Sequence, residues 1–95
     1  MRLELSRKAQ ADLDDIRDFS VSEFGNERAI AYLDAIEQSF RRLLDHPRIG
    51  TSRAELRSGV RSYPIGEHRI YYRLTADRVS VIRLLHKSVD DARHV

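Results

Sequence analysis

Residues 60–86 read VRSYPIGEHRIYYRLTADRVSVIRLLH, and within this stretch apolar and polar side chains alternate with period two in three runs. Side chains of a β-strand point alternately to opposite faces, so each run describes a strand with one face buried. The strands are expected at Val60 to Ile65, His68 to Thr75 and Arg78 to His86. Gly66-Glu67 and Ala76-Asp77 supply the two short connections, which makes the whole an antiparallel meander.

Upstream the period changes from two to 3.6. Ala9, Leu13, Ile16, Ser20 and Phe24 recur at helical spacing, with Ser6 in position to cap a helix that begins near Arg7 and Gly25 in position to end it. A second stripe of Ala29, Leu33, Ile36, Phe40 and Leu43 or Leu44 follows, with Asn26 as its expected N-cap and His46-Pro47 as its stop. Only Gly25-Asn26 separates the two, so they fold back as a helical hairpin. Leu3 and Leu5 alternate with Arg2 and Glu4 as a short strand available to the sheet, and residues 48–59 form a long basic connection with room for one helical turn. The sum is one α+β domain spanning residues 1–95, in the order β-α-α-β-β-β. The helical hairpin packs on one face of an antiparallel sheet, and a short C-terminal tail follows.

Composition narrows the function classes. A chain of 95 residues with 41% hydrophobic and 34% charged residues is globular, although at this size it buries only about 60–65% of its unfolded surface. It has no cysteine, hence no disulfide framework, and its four histidines (His46, His68, His86, His94) lack ligand-pair spacing, so neither metal nor cofactor is expected. There is no secretory h-region and no apolar run of membrane-spanning length, which leads to an expected cytoplasmic location without a membrane partner. The formal charge of +2 hides a division. Residues 1–40 carry five Lys/Arg against nine Asp/Glu, net −4, and residues 41–95 carry twelve against six, net +6. Such a split suits a C-terminal half that meets an acidic macromolecule, and equally an ordinary solvated basic face.

In the middle strand Ile70, Tyr72 and Leu74 point one way and Arg69, Tyr71 and Arg73 the other. The apolar set must meet the helices. The opposite row of arginine, tyrosine and arginine suits phosphate or carboxylate recognition by guanidinium forks, or else a solvated face with cross-strand ion pairs. Arg83 interrupts an apolar alternation and its face depends on register: a two-residue Ala76-Asp77 loop puts it opposite Ile70 on the helix side, and a single bulge reverses that. No nucleophile elbow and no phosphate-cradling glycine loop occurs.

Three blocks carry a resemblance: Glu55-Leu56-Arg57-x-Gly59-x-Arg61; Tyr63-x-Ile65-Gly66-x-His68-x-Ile70-x-Tyr72-Arg73; and Val81-Ile82-Arg83-Leu84-Leu85-His86-x-x-x-Asp90-x-x-Arg93-His94. With the element order they resemble the RelE/ParE superfamily of type II toxins, in its ParE branch, over essentially the whole chain. The resemblance implies a toxin that causes growth arrest and is neutralised by a ParD-like antitoxin. That antitoxin carries a ribbon-helix-helix DNA-binding part, through which alone operator DNA is met, and a wrapping C-terminal segment. ParE-like members inhibit or poison DNA gyrase by stoichiometric binding, with no catalytic residue. RelE-like members cut ribosome-bound mRNA using basic residues, among which Arg69 has a counterpart; here Asp90 stands where a second arginine is expected, and no tyrosine follows Tyr72. A carboxylate there opposes the negative charge that cleavage develops. The resemblance does not resolve the gyrase contact to particular residues; the candidates for target or antitoxin binding are Arg61, Arg69, Tyr71, Arg73, Arg83 and His86, with Asp90 and Arg93 ordering the C-terminal tail. A ribosome-dependent nuclease and an antitoxin-binding relic without toxicity are the alternatives.

Overall fold

The computed structural model describes all 95 residues. Strand β1 (Arg2–Leu5) leads into helices α1 (Arg7–Phe24) and α2 (Asn26–Asp45); β2 (Thr51–Ser52), β3 (Val60–Ile65), β4 (His68–Leu74) and β5 (Arg78–His86) follow, and a 3₁₀ turn (Asp91–Arg93) closes the tail. The helices lie on one face of a sheet with strand order β1-β5-β4-β3-β2. The expected strand boundaries hold to within one residue. Two features of the sheet differ from the expectation. β1 pairs parallel with β5, Leu3 beside Val79 and Leu5 beside Val81, so the sheet is mixed. The basic connection contributes the two-residue strand β2, antiparallel to β3, which was too short and too polar to leave a periodic signal.

Local chemistry explains the helix ends. The Ser6 hydroxyl accepts the Ala9 N–H at 2.9 Å, as expected of an N-cap. Gly25 ends α1 at φ +84°, a conformation that costs glycine little, and its N–H reaches the Val21 carbonyl. The same glycine, and not Asn26, is the N-cap of α2; Asn26 is already the first helical residue. Merging the two caps into one residue makes the hairpin as tight as the chain allows.

The sheet carries an apolar layer on each face. Toward the helices, Ile70, Tyr72, Val79, Val81 and Leu84 pack with Ala9, Ile16, Ile36 and Leu43, all buried. On the outer face Val60, Tyr71 and Leu85 form a second, smaller cluster under Leu56, Ile82 and Val95. Tyr71 and Tyr72 are therefore consecutive, oppositely directed and both buried, at 1% and 0% exposure. Each ring also ties down a segment outside the two helices and the sheet. The Tyr72 hydroxyl donates to the Pro47 carbonyl at 2.8 Å and accepts the Gly50 N–H at 2.9 Å, fastening the chain as it leaves α2. A Cβ at Gly50 would lie 2.6 Å from that hydroxyl, so only glycine fits the approach.

The Tyr71 hydroxyl donates to Asp91 Oδ2 at 2.7 Å, and Arg53 Nη2 donates to the same oxygen at 2.9 Å, fastening the tail over the outer cluster. These two donors, the tyrosine first, hold the Asp91 carboxyl below its usual range. The tail-ordering role expected of Asp90 and Arg93 thus rests mainly on Asp91. Asp90 caps only its own turn through the Ala92 N–H at 3.2 Å, and Arg93 is exposed, 3.6 Å from Asp90.

Two stability predictions follow from these hydroxyls. Tyr72→Phe leaves a buried carbonyl and N–H without their partner and should cost about 1–2 kcal/mol, seen as a fall of roughly 5–15 °C in the thermal midpoint. Asp91→Ala should cost about 1 kcal/mol and speed amide exchange selectively across residues 87–95. The Asp91 carboxyl is lowered in the fold, so its contribution is complete above its unfolded value near ~3.9 and drains away as pH falls through the folded value. The gap between wild type and Asp91→Ala in urea titrations should therefore be full at neutral pH and shrink in acid.

Candidate functional site

The six sequence-derived binding candidates divide between the two faces of the sheet. Arg69, Tyr71 and Arg73 share the outer face, as the alternation of β4 requires, with Pro64, Ser62 and Val60 opposite them on β3. Arg61 pairs with Tyr72 and so points to the helix side, where its guanidinium donates to the Gly50 carbonyl at 2.8 Å and the Arg48 carbonyl at 3.3 Å. His86 pairs with His68, also on the helix side, and its Nδ1 lies 2.8 Å from the Ser88 hydroxyl rather than against Asp90. Arg61 and His86 thus lie on the opposite side of the sheet from the arginine row.

A bulge in β5 decides Arg83. Tyr72 pairs with Val81 but Tyr71 with Arg83, so Ile82 is the extra residue, and Ile82 and Arg83 both turn to the outer side. The arginine does not stay there. Its guanidinium wraps the end of the sheet to Asp12 of α1, Nε donating to Oδ2 at 2.8 Å and Nη2 to Oδ1 at 2.9 Å, with both side chains mostly buried. Asp12 Oδ2 also accepts the Leu84 N–H at 3.0 Å. That N–H lies just past the end of β1, so one carboxylate both neutralises the arginine and completes the strand edge. A fork held at both tines is a structural tie with little capacity left for a partner. Asp12 reads at first as one of the acidic residues, with Asp14, Asp15 and Asp18, of the helix's polar side, yet it stands three residues after Ala9 and four before Ile16, on the apolar stripe, where an unpaired carboxylate is costly.

Tyr71 likewise has no exposed ring to offer. Burial first, and then its bond to Asp91, raise its phenol above the usual value, so it is neutral at physiological pH and is spent as a donor. Arg53, absent from the candidates, lies over the Tyr71 ring at 5.8 Å from its centroid and also bonds Glu55 at 2.8 Å. Arg69 and Arg73 remain: neither is held in an ion pair, whereas Arg53, Arg78 and Arg83 all are. The available chemistry of the outer face is thus two guanidinium groups outside any ion pair, four residues apart on the central strand and flanking a buried, carboxylate-bound tyrosine, with Arg69 near enough to Asp91 to help hold its carboxyl low. Such a pair can grip carboxylates or phosphates.

Comparison with known proteins supplies the family. A family model described as the ParE toxin of the type II toxin-antitoxin system parDE matches residues 3–90. The chain is 37% identical to Toxin ParE1 of Caulobacter vibrioides over 91 residues, 96% of this chain and 94% of that one. It is 35% identical to Toxin ParE1 of Mycobacterium tuberculosis over 95 residues, covering 99% and 97% of the two chains. Among solved structures, the chromosomal ParDE system from P. aeruginosa aligns with a TM-score of 0.78 at 27% identity over 90% of this chain and 95% of that chain. A YoeB/ParE toxin from Agrobacterium tumefaciens, at 21% identity and a TM-score of 0.63 over 90% and 98%, shares the fold. Sequence, architecture and element order agree: the chain belongs to the ParE family of type II toxin-antitoxin toxins.

Proposed function

We propose that this chain is an intracellular toxin that arrests growth by binding DNA gyrase stoichiometrically, without chemistry of its own, and that a ParD-like antitoxin neutralises it. Membership of the ParE family supports the toxin role and an antitoxin partner. The observation that carries the non-catalytic reading is the state of the arginine face. Cleaving RNA there would need a proton acceptor, a proton donor and cations around the phosphate. The cations are present in Arg69 and Arg73, but the one phenol of the face is buried and bound to Asp91, and the adjoining tail contributes two carboxylates, Asp90 and Asp91. Binding needs only the cations.

Purified protein mixed with gyrase and relaxed plasmid should suppress supercoiling or trap cleaved DNA, while translating ribosomes given the same protein leave their mRNA intact. Unaffected supercoiling together with mRNA cuts at ribosomal A sites would overturn the reading. Reversing both free arginines, Arg69→Glu with Arg73→Glu, should weaken inhibition by at least about tenfold, as expected when attractive contacts become repulsive ones. The double variant should stay folded by circular dichroism, with a modest fall in thermal midpoint because Arg69 lies near Asp91. Unchanged inhibition by this double variant would remove the arginine face from the account.

A further inference from the structure

The tail over the outer face is fastened there by side chains. Its last backbone bond to the body of the fold runs from the Lys87 N–H to the Glu67 carbonyl at 2.8 Å; beyond it Val89 reaches His86, Arg93 reaches Asp90 and Val95 reaches Asp91, all within the tail or its root. The ties to the outer face are the Asp91 carboxylate, the packing of Val95 beside the outer cluster, and Arg83 at 3.4 Å from the His94 carbonyl. A segment held this way opens locally at a cost well below that of unfolding the domain.

The groups beneath Asp91 are held in place without it. Tyr71 is locked in the outer cluster by its buried ring. Arg53 lies over that ring, its Nε donates to Glu55 at 2.8 Å, and its Nη1 is 3.5 Å from the Ser62 hydroxyl. Arg69 projects from the same face of β4, two residues before Tyr71. Lifting the tail therefore uncovers donors that are already positioned and takes a negative charge away, leaving Glu55 as the remaining carboxylate on Arg53.

Asp91 satisfies these donors incompletely. Tyr71 and Arg53 both donate to its Oδ2, at 2.7 Å and 2.9 Å, while Arg69 stays outside any ion pair. A phosphate dianion carries more charge and three terminal oxygens, enough for all three groups at once. We propose that Arg53, Arg69 and Tyr71 form a phosphate site in which Asp91 is the internal ligand, and that residues 87–95 are the strap that keeps the site closed until an external phosphate displaces it. The inference rests on the reading of the outer face as the working surface, and adds that the chain itself occupies part of that face.

The test follows the whole chain by NMR, as wild type, Asp91→Asn and Arg69→Gln, during titration with inorganic phosphate, phenyl phosphate and dimethyl phosphate at neutral pH and constant ionic strength. In wild type, phosphate should shift the Arg53 and Arg69 side-chain signals and speed amide exchange across residues 88–95 as it saturates. Asp91→Asn keeps an acceptor for Tyr71 but removes the competing charge, so it should bind phosphate at least about tenfold more tightly, as expected when a closed state is depopulated. Arg69→Gln should bind it at least about fivefold more weakly while remaining folded by circular dichroism. Phenyl phosphate binding as tightly as the free ion supports a phosphate borne on a partner; binding of inorganic phosphate alone supports the free ion as ligand. Equal affinity of wild type and Asp91→Asn, tail exchange that slows or stays constant as phosphate binds, shifts located elsewhere, no saturable binding, or equal affinity for the monoanionic dimethyl phosphate would each overturn the proposal. Gyrase inhibition by Asp91→Asn separates the two readings. Tighter phosphate binding with unchanged inhibition supports the strap and contradicts gyrase contact at this face, whereas unchanged phosphate binding overturns the strap whatever gyrase does.

Discussion

The structure depends on the alternation along β4. This central strand must satisfy an apolar layer on each face, and it does so with adjacent tyrosines whose rings leave in opposite directions. A single sheet in so small a domain has little apolar area to bury, so segments without regular structure have to be recruited to complete both layers. Tyrosine suits this task because its ring joins the core while its hydroxyl remains free to bond at the far end. Tyr72 recruits the connection after α2 and Tyr71 recruits the C-terminal tail. Slipping β4 by one residue would exchange the two rings and lose both fastenings.

The electrostatics follow from the same frame. The division of charge along the sequence does not survive as a division in space, since the basic half spends many of its arginines on internal ties. Arg83 reaches the acidic helix α1, Arg78 reaches Glu4 at the start of the chain, and Arg53 holds the tail. What is left for partners is smaller and sharper than the net charge implies. It includes Arg69 and Arg73, four residues apart on the outer face of β4.

Much of this was legible in the sequence. The helical hairpin and the meander follow from hydrophobic period alone, and the facing of Ile70, Tyr72 and Leu74 from parity within one strand. Parity fails wherever one residue is added, and the bulge at Ile82 is such an addition: it turned Arg83 outward, and the Ala76-Asp77 turn carried no sign of it. Which face Arg61 and His86 take could not be read from parity within β4, because residues on different strands share a face only as the register dictates. Strand β2 was invisible, since two polar residues make no period. The exposure of Phe19 and Phe24 was hidden in the opposite way, as Phe24 continues the α1 stripe beyond the point where the sheet is there to cover it. The partner of Arg83 could have been found by asking why Asp12 stands on an apolar stripe.

The central claim is that the arginine face acts by binding alone. The most direct measurement is a titration of the protein against a fixed concentration of gyrase well above the dissociation constant, with the supercoiling rate read at several incubation times. Stoichiometric binding predicts a break at one fixed molar ratio that does not move with time. Loss of activity at substoichiometric protein, growing as incubation lengthens, would contradict it and require turnover.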